Sequence, residues 1–169
     1  MRRILLSLLV LAAPAAAGVV PLHADGEFVG SGVVVDGGDI LTCAHVLDEG
    51  VECEVLAYDE DLDLALIRVD ELTGEPTPWS VRTLVSGDAV QVHAYFEEEP
   101  VVTRGIASNA KMGWTDAMIL AGMSGGAVLD KDGNLVGVVV GVFGFDEIDY
   151  IGEFITLPTI EEFMEGRER

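Results

Sequence analysis

Along most of this chain apolar and polar positions alternate with a period of two, or apolar residues gather in short runs bounded by glycines and acidic turns. The stretches "GSGVVVDGGDILTCAHV" (30–46), "VECEVLAYD" (51–59), "LDLALIRVD" (62–70), "DAVQVHAYF" (88–96), "VVTRGIAS" (101–108), "GGAVLDKDGNLVGVVVGV" (125–142) and "GEFITLP" (152–158) all predict strands. "DKDGN" at 130–134 predicts a hairpin turn with Gly133 at positive φ. Helix is predicted only at the end, in "PTIEEFMEGRER", where Thr159 and Glu162 have capping-box spacing. "DELTGEPTPWS" (70–80) is turn-rich and lacks apolar periodicity, so it reads as a linker between two β-halves. Many strands without α/β alternation predict an all-β sandwich or barrel.

The first residues, "MRRILLSLLVLAAPAAA" (1–17), break this pattern. Arg2 and Arg3 precede an apolar run from Ile4 to Ala12, and Ala15 and Ala17 stand at A-x-A spacing, the pattern of a secretory signal peptide. Pro14 and Pro21 interrupt the low-charge stretch, which leaves too short a core to span a bilayer. Cleavage after Ala17 is expected, with residues 18–169 as a secreted or periplasmic domain and no stable membrane insertion once the signal is removed. A chain of 169 residues that is 50% apolar supports one domain with a real core.

Loss of Arg2 and Arg3 takes the formal charge from −21 to −23. Such an excess of acid excludes nucleic acid as a partner, because phosphate binding needs a basic surface, and it disfavours anionic membranes. Lys111 and Lys131 are the only lysines, a surface suited to a salty medium as well as to ordinary solubility. Export also alters the reading of Cys43 and Cys53, the only two cysteines: outside the cytoplasm such a pair is a candidate disulfide. His45 is the only nearby histidine and no C-x-x-C is present, so neither a metal site nor a cofactor is expected. "DEDLD" (59–63) starts like a calcium loop but fails at Leu64, where glycine is needed, and at Asp70, where glutamate is usual.

The chemistry centres on "ILAGMSGGAV" (119–128), where Ser124 stands among Gly122, Gly125 and Gly126. A serine hydroxyl is nearly inert at neutral pH and needs a base, an orienting acid and donors for the developing oxyanion. The histidines are His23, His45 and His93. His45 follows a strand-like run where the chain must turn, a place that presents a side chain to a cleft, whereas His93 alternates within a strand. Of Asp59, Asp61 and Asp63, only Asp63 enters the apolar run "LALI" directly, and a half-buried carboxylate there calls for a partner such as an imidazole.

With "GSGVVVDGGDILTCAHVL", "DLALIRV", "TRGIAS", "TDAMILAGMSGGAVLDKDGNLVGV" and "GEFITLP" together, the chain resembles a chymotrypsin-fold serine protease, and within that fold the protease domain of the HtrA/Deg family, over about residues 28–165. The resemblance implies two six-stranded antiparallel β-barrels, at about 26–69 and 81–157, with a cleft between them and a short C-terminal helix at about 158–166. It implies His45 as general base, Asp63 as its orienter, Ser124 as nucleophile, and the Gly122 and Ser124 amides as the oxyanion hole. The pocket for the side chain preceding the cut bond would then be lined near Met118 and by Val140 and Val142, which predicts cutting after small to medium aliphatic residues. Asp116 is expected to take a turn or surface role, since an unpaired carboxylate in an apolar pocket is costly.

Departures from the family pattern are the absence of sequence for a PDZ domain after the helix, a short segment before "GSG", a loop reduced to "AKMGW" between "IASN" and "TDAM", and Met123 where asparagine is usual. Met123 cannot form an ion pair with a freed amino terminus, so activation by terminal cleavage is not expected. The oligomeric state stays open. Two functions compete: an exported serine endopeptidase acting on unfolded or flexible polypeptides, and a protease-fold binding or assembly protein that cuts only itself or one partner. A complete triad favours the first.

Overall fold

Strands dominate the computed structural model, which describes residues 18–69, 72, 74–145 and 149–166. The expected signal segment 1–17 lies outside the described residues, as do Asp70, Glu71 and Thr73 of the expected linker. In the first half, β1 (Val19–Ala24), β2 (Glu27–Val34), β3 (Ile40–Thr42), β4 (Glu54–Asp59) and β5 (Leu64–Arg68) form a five-stranded antiparallel sheet in the order β1-β2-β3-β5-β4. Strand β1 was not expected, because Pro21 interrupts its sequence. Pro21 pairs with Ser31 at the sheet's edge, where a residue without an N–H does the least harm to the ladder.

The second half holds β6 (Ala89–Phe96), β7 (Glu99–Asn109), β8 (Trp114–Thr115), β9 (Ala127–Leu129), β10 (Leu135–Phe145) and β11 (Asp149–Thr156). These close into a six-stranded barrel in the order β10-β11-β8-β7-β6-β9. Thus one expected barrel is present, and the other is, among the described residues, a five-stranded sheet without closure. After β5 the chain leaves the sheet. The Leu72 N–H closes a turn onto Val69 O, and the linker then runs without regular structure to β6, tied to the first sheet by the Thr77 N–H on Val34 O and bridged to the barrel at Trp79 and Leu135.

Two cores explain the strand patterns. Val90, Val92, Ala94, Val128, Val136, Val139 and Phe154 fill the barrel, each almost wholly buried. The other core joins the halves: Leu22, Val33, Ile40, Leu64 and Leu66 of the first sheet pack with Leu129, Leu135, Val138 and Ile155 on the barrel's outer face. β5 is therefore buried on both faces, which is why "LALI" is a continuous apolar run. β10 serves both cores, and register shifts between Leu135 and Gly137 and between Val139 and Gly141 change which face its side chains meet.

The terminal helix, α2 (Leu157–Gly166), buries Leu157, Ile160 and Phe163. Thr159 lies inside its first turn, not at the cap, and its hydroxyl meets that of Thr156, the residue before the helix, at 3.2 Å. A second helix, α1 (Ala44–Asp48), was not predicted; it is a single turn directly after β3.

Candidate active site

His45 stands in α1 with about half of its side chain exposed, and Asp63 opens β5 from the turn after β4. The His45 ring Nδ1 lies 2.7 Å from Asp63 Oδ2 and 3.0 Å from Oδ1, and the His45 backbone N–H donates to Oδ1 at 3.0 Å. The Ala44 N–H donates to the Asp63 carbonyl at 3.2 Å, which ties the helix start to the aspartate's own backbone. Asp63 adopts φ 53°, in the left-handed region that aspartate tolerates better than most residues. Sequence patterning does not reveal this bend, yet it turns the carboxylate back toward α1 before the buried run begins.

The electrostatics follow from that geometry. Its hydrogen bond with Asp63 raises the His45 pKa above its ordinary value, against the opposing effect of burial, with Asp48 and Glu49 adding to the rise. Burial pushes the Asp63 carboxyl up, but the His45 ring and backbone hydrogen bonds outweigh it and hold the group below the usual aspartate range. The pair favours an imidazolium facing a carboxylate, the state a general base reaches after taking a proton.

Ser124 comes from the other half, in the tight turns before β9. Gly122 has φ 93° and Gly125 φ 81°, conformations that glycine takes without strain. A Cβ on Gly125 would run into Ser31 O and Thr42 Oγ1. This close approach is one of the contacts that join the two halves: the Ser31 N–H donates to Ser124 O at 2.8 Å, and Thr42 Oγ1 donates to Ser31 O at 2.7 Å, one residue before Cys43 and three before His45. Ser31 Oγ also accepts from the Tyr95 N–H at 2.9 Å. Ser31 is wholly buried, and its part in placing the serine carries no signal in the sequence beyond its neighbouring glycines.

The Ser124 hydroxyl donates to Val140 O at 2.7 Å, and no hydrogen bond joins it to His45. Around it the Met123 N–H donates to Leu120 O, the Gly125 N–H to Val139 O and the Gly126 N–H to Met123 O. The Gly122 and Ser124 amides make no hydrogen bond among the described residues, which leaves these two donors available to a ligand oxygen.

The expected pocket residues fall on two neighbouring segments. Met118 is 57% exposed and Val142 41% exposed, while Val140 is half-buried. Val142 pairs with Gly152, and a Cβ on Gly152 would meet the Ile119 side chain, so the segment around Met118 runs beside β10 and β11. Asp116 is exposed just after β8 and accepts from the Ile106 N–H of β7 at 2.7 Å.

The expected disulfide is corrected: Cys43 and Cys53 are both free thiols. Cys43 is wholly buried with its sulfur turned to the second half, donating to Val139 O at 3.1 Å, while Cys53 is half-buried ahead of β4. The donor atoms of Cys43, His45 and Asp63 all lie within 4.8 Å of one another. Burial drives the Cys43 thiol far above its usual pKa, and His45 Nδ1 is engaged by Asp63, so the thiol stands beside a hydrogen-bonded pair. His93 lies apart on β6, its pKa lowered by burial and by Arg104, and its Nδ1 is buried without a hydrogen-bond partner.

Residues 30–138 match the family model described as a trypsin-like peptidase domain. Protease Do-like 14 of Arabidopsis thaliana is 26% identical over 178 residues, covering 83% of this chain and 41% of that protein. The crystal structure of a serine endoprotease from Yersinia pestis superposes with a TM-score of 0.76 at 27% identity, covering 90% of this chain and 63% of that one. An HtrA-type protease, AlgW, solved with a decapeptide, superposes with a TM-score of 0.72 at 26% identity over 83% of this chain and 52% of its own. The chain thus spans less than two thirds of the length of each of these relatives.

Proposed function

Because the chain belongs to the trypsin-like peptidase family, we propose that it is a serine endopeptidase in which His45, Asp63 and Ser124 act as base, orienter and nucleophile. The observation that carries this reading is the His45–Asp63 pair at 2.7 Å, set across the Ser31 contact from Ser124. Rotation of the Ser124 hydroxyl away from Val140 O would aim it at the imidazole. His45 Nε2 then takes the hydroxyl proton as Oγ attacks the scissile carbonyl, and Asp63 stabilises the imidazolium. The free Gly122 and Ser124 amides receive the oxyanion. The tetrahedral intermediate collapses as His45 returns its proton to the leaving amine, and water repeats the sequence to release the acyl group.

Substrates in this reading are unfolded or flexible polypeptides with an aliphatic residue before the cut, because Met118, Val140 and Val142 supply no charge. Export through residues 1–17 remains part of the same reading. So does a cleft between two β-units, whichever way the first unit's edges are completed.

The orientation of the Ser124 hydroxyl favours a second reading, a protease-fold binding or assembly protein whose nucleophile stays turned away. An active-site-directed serine reagent separates them. Stoichiometric labelling at Ser124, lost in His45→Ala, supports the peptidase, and a folded but unreactive protein supports the binder.

A further inference from the structure

Asp63 is given two donors by His45, its ring and its backbone N–H, and the His45 side chain is about half exposed. The Cys43 thiol, wholly buried, lies within 4.8 Å of the carboxylate and 3.1 Å from the Val139 carbonyl. The thiol's one proton is directed to Val139 O, and an Asp63 carboxylate oxygen lies within 4.8 Å of the sulfur. Val139 O already accepts from the Gly125 N–H at 2.8 Å, so it does not depend on the sulfur. The Asp63 carboxylate, by contrast, has no donor besides His45 among the hydrogen bonds of the described residues.

We propose that Cys43 is a positioning residue for Asp63: its buried S–H, shared between Val139 O and the carboxylate, holds that carboxylate in the orientation that serves His45. The inference deepens the peptidase reading and rests on it for its kinetic arm. A thiol is a weak donor, but in a buried site even a weak donor steadies a charged acceptor. The direction agrees, because the nearby Cys43 thiol adds to the lowering of the Asp63 pKa by His45. The same thiol touches β10 one residue before Val140, which holds the Ser124 hydroxyl, so one side chain meets both the acid and the strand behind the nucleophile. It does this in place of the disulfide that its sequence position suggests.

Removing the donor leaves the Asp63 charge less neutralised and the imidazolium better stabilised, so the His45 pKa rises. The other charged groups acting on the ring, Asp48 and Glu49 on α1, are untouched. The test is an imidazole NMR titration of the full chain in the Ser124→Ala background, with His45 assigned by mutation, comparing Cys43, Cys43→Ala and Cys43→Ser. Cys43→Ala is expected to move the His45 midpoint up by about 0.3–0.5 unit, and Cys43→Ser, which keeps a donor, to return it to or below its starting value. In the active chain Cys43→Ala should lower kcat by about three- to tenfold with KM little changed, and Cys43→Ser should recover most of the loss.

A midpoint that ignores both substitutions, or that shifts equally in both, overturns the positioning role. Failure of the peptidase reading shows separately, as no hydrolysis by the unsubstituted chain, and leaves the NMR result to stand or fall by itself.

Discussion

The two halves that meet at the candidate site form its two walls, and the walls differ in how finished they are. The first wall carries His45 and Asp63 already locked at 2.7 Å, with a backbone donor added, across a sequence separation of only 18 residues. The second wall carries Ser124 with its hydroxyl committed to its own strand neighbour, Val140 O. The difference teaches where each part's order comes from. The His45–Asp63 pair is local to the first sheet, whereas the serine is placed by contacts between the halves, through Ser31 and Gly125, and in the proposed reading its hydroxyl must still turn toward His45. Apo geometry of this kind is compatible with a hydroxyl that aligns only in the substrate complex.

The largest test asks whether the two walls act as one unit. Ser124→Ala should reduce peptide hydrolysis to the background level, a loss of roughly 10⁵-fold or more in kcat, and His45→Ala should be as severe. The double variant should be hardly worse than either. Asp63→Asn should cost about 10³–10⁴-fold, because it keeps the shape of the pair but misorients the ring proton. Steady-state kinetics on a flexible peptide decides the matter: losses that multiply in the double variant would mean that the walls work independently.

A second test strikes the contact between the walls. Gly125→Ala places a methyl group against Ser31 O at a φ of 81°, where an L side chain is strained. It should destabilise the fold by roughly 3 kcal/mol or more and abolish activity. Gly133→Ala has the same kind of φ, 86°, but nothing within 4 Å, so it should cost only about 1 kcal/mol and leave activity intact. Urea unfolding of both variants gives the ratio. Equal destabilisation would show that the contact contributes nothing beyond backbone strain.

Protonation sharpens the contrast further. The His45 pKa is raised above its ordinary 6.5, so kcat/KM should fall about tenfold per pH unit once the pH drops below that raised value. Stability runs the other way. A raised folded pKa contributes stability that is fully present below the unfolded value of 6.5 and is lost as the pH climbs through the folded value. Asp63, with its lowered pKa, contributes above its unfolded 3.8 and loses that contribution as the pH falls through its folded value. Activity and the His45 share of stability should therefore exchange places across one titration, and both should vanish from the profile of His45→Gln.

What was legible in the sequence divides along the same line. The order His45, Asp63, Ser124, the strand runs and the Gly133 turn could be read because each is set by residue type within a short window. The bend at Asp63, the Ser124–Val140 bond and the Ser31 contact could not, because each depends on where a distant backbone carbonyl arrives. Pro21 hid β1, since only the three-dimensional order of the sheet puts that strand at an edge. The cysteine pair misled for a similar reason. A ten-residue separation says nothing about which way the Cys43 side chain leaves the chain, and it leaves toward Val139, away from a bridge.

The smallest expected effect belongs to the histidine of β6, and its smallness is what gives it value. His93 and His45 differ in every respect that matters for a base. His45 has a carboxylate at 2.7 Å and a raised pKa, while His93 has a lowered pKa and a buried Nδ1 that no group satisfies. Its nearest polar contact is Gln91 Oε1 at 3.5 Å, too long to orient a ring for proton transfer. Replacing it with leucine removes the unsatisfied nitrogen while keeping most of the packing volume, so the gain from the first offsets the strain of the second. His93→Leu should leave kcat/KM within about twofold and stability within about 1 kcal/mol of the parent. A loss of activity comparable with that of His45→Ala, in a variant that melts normally, would move the base to the second wall and undo the assignment of the pair.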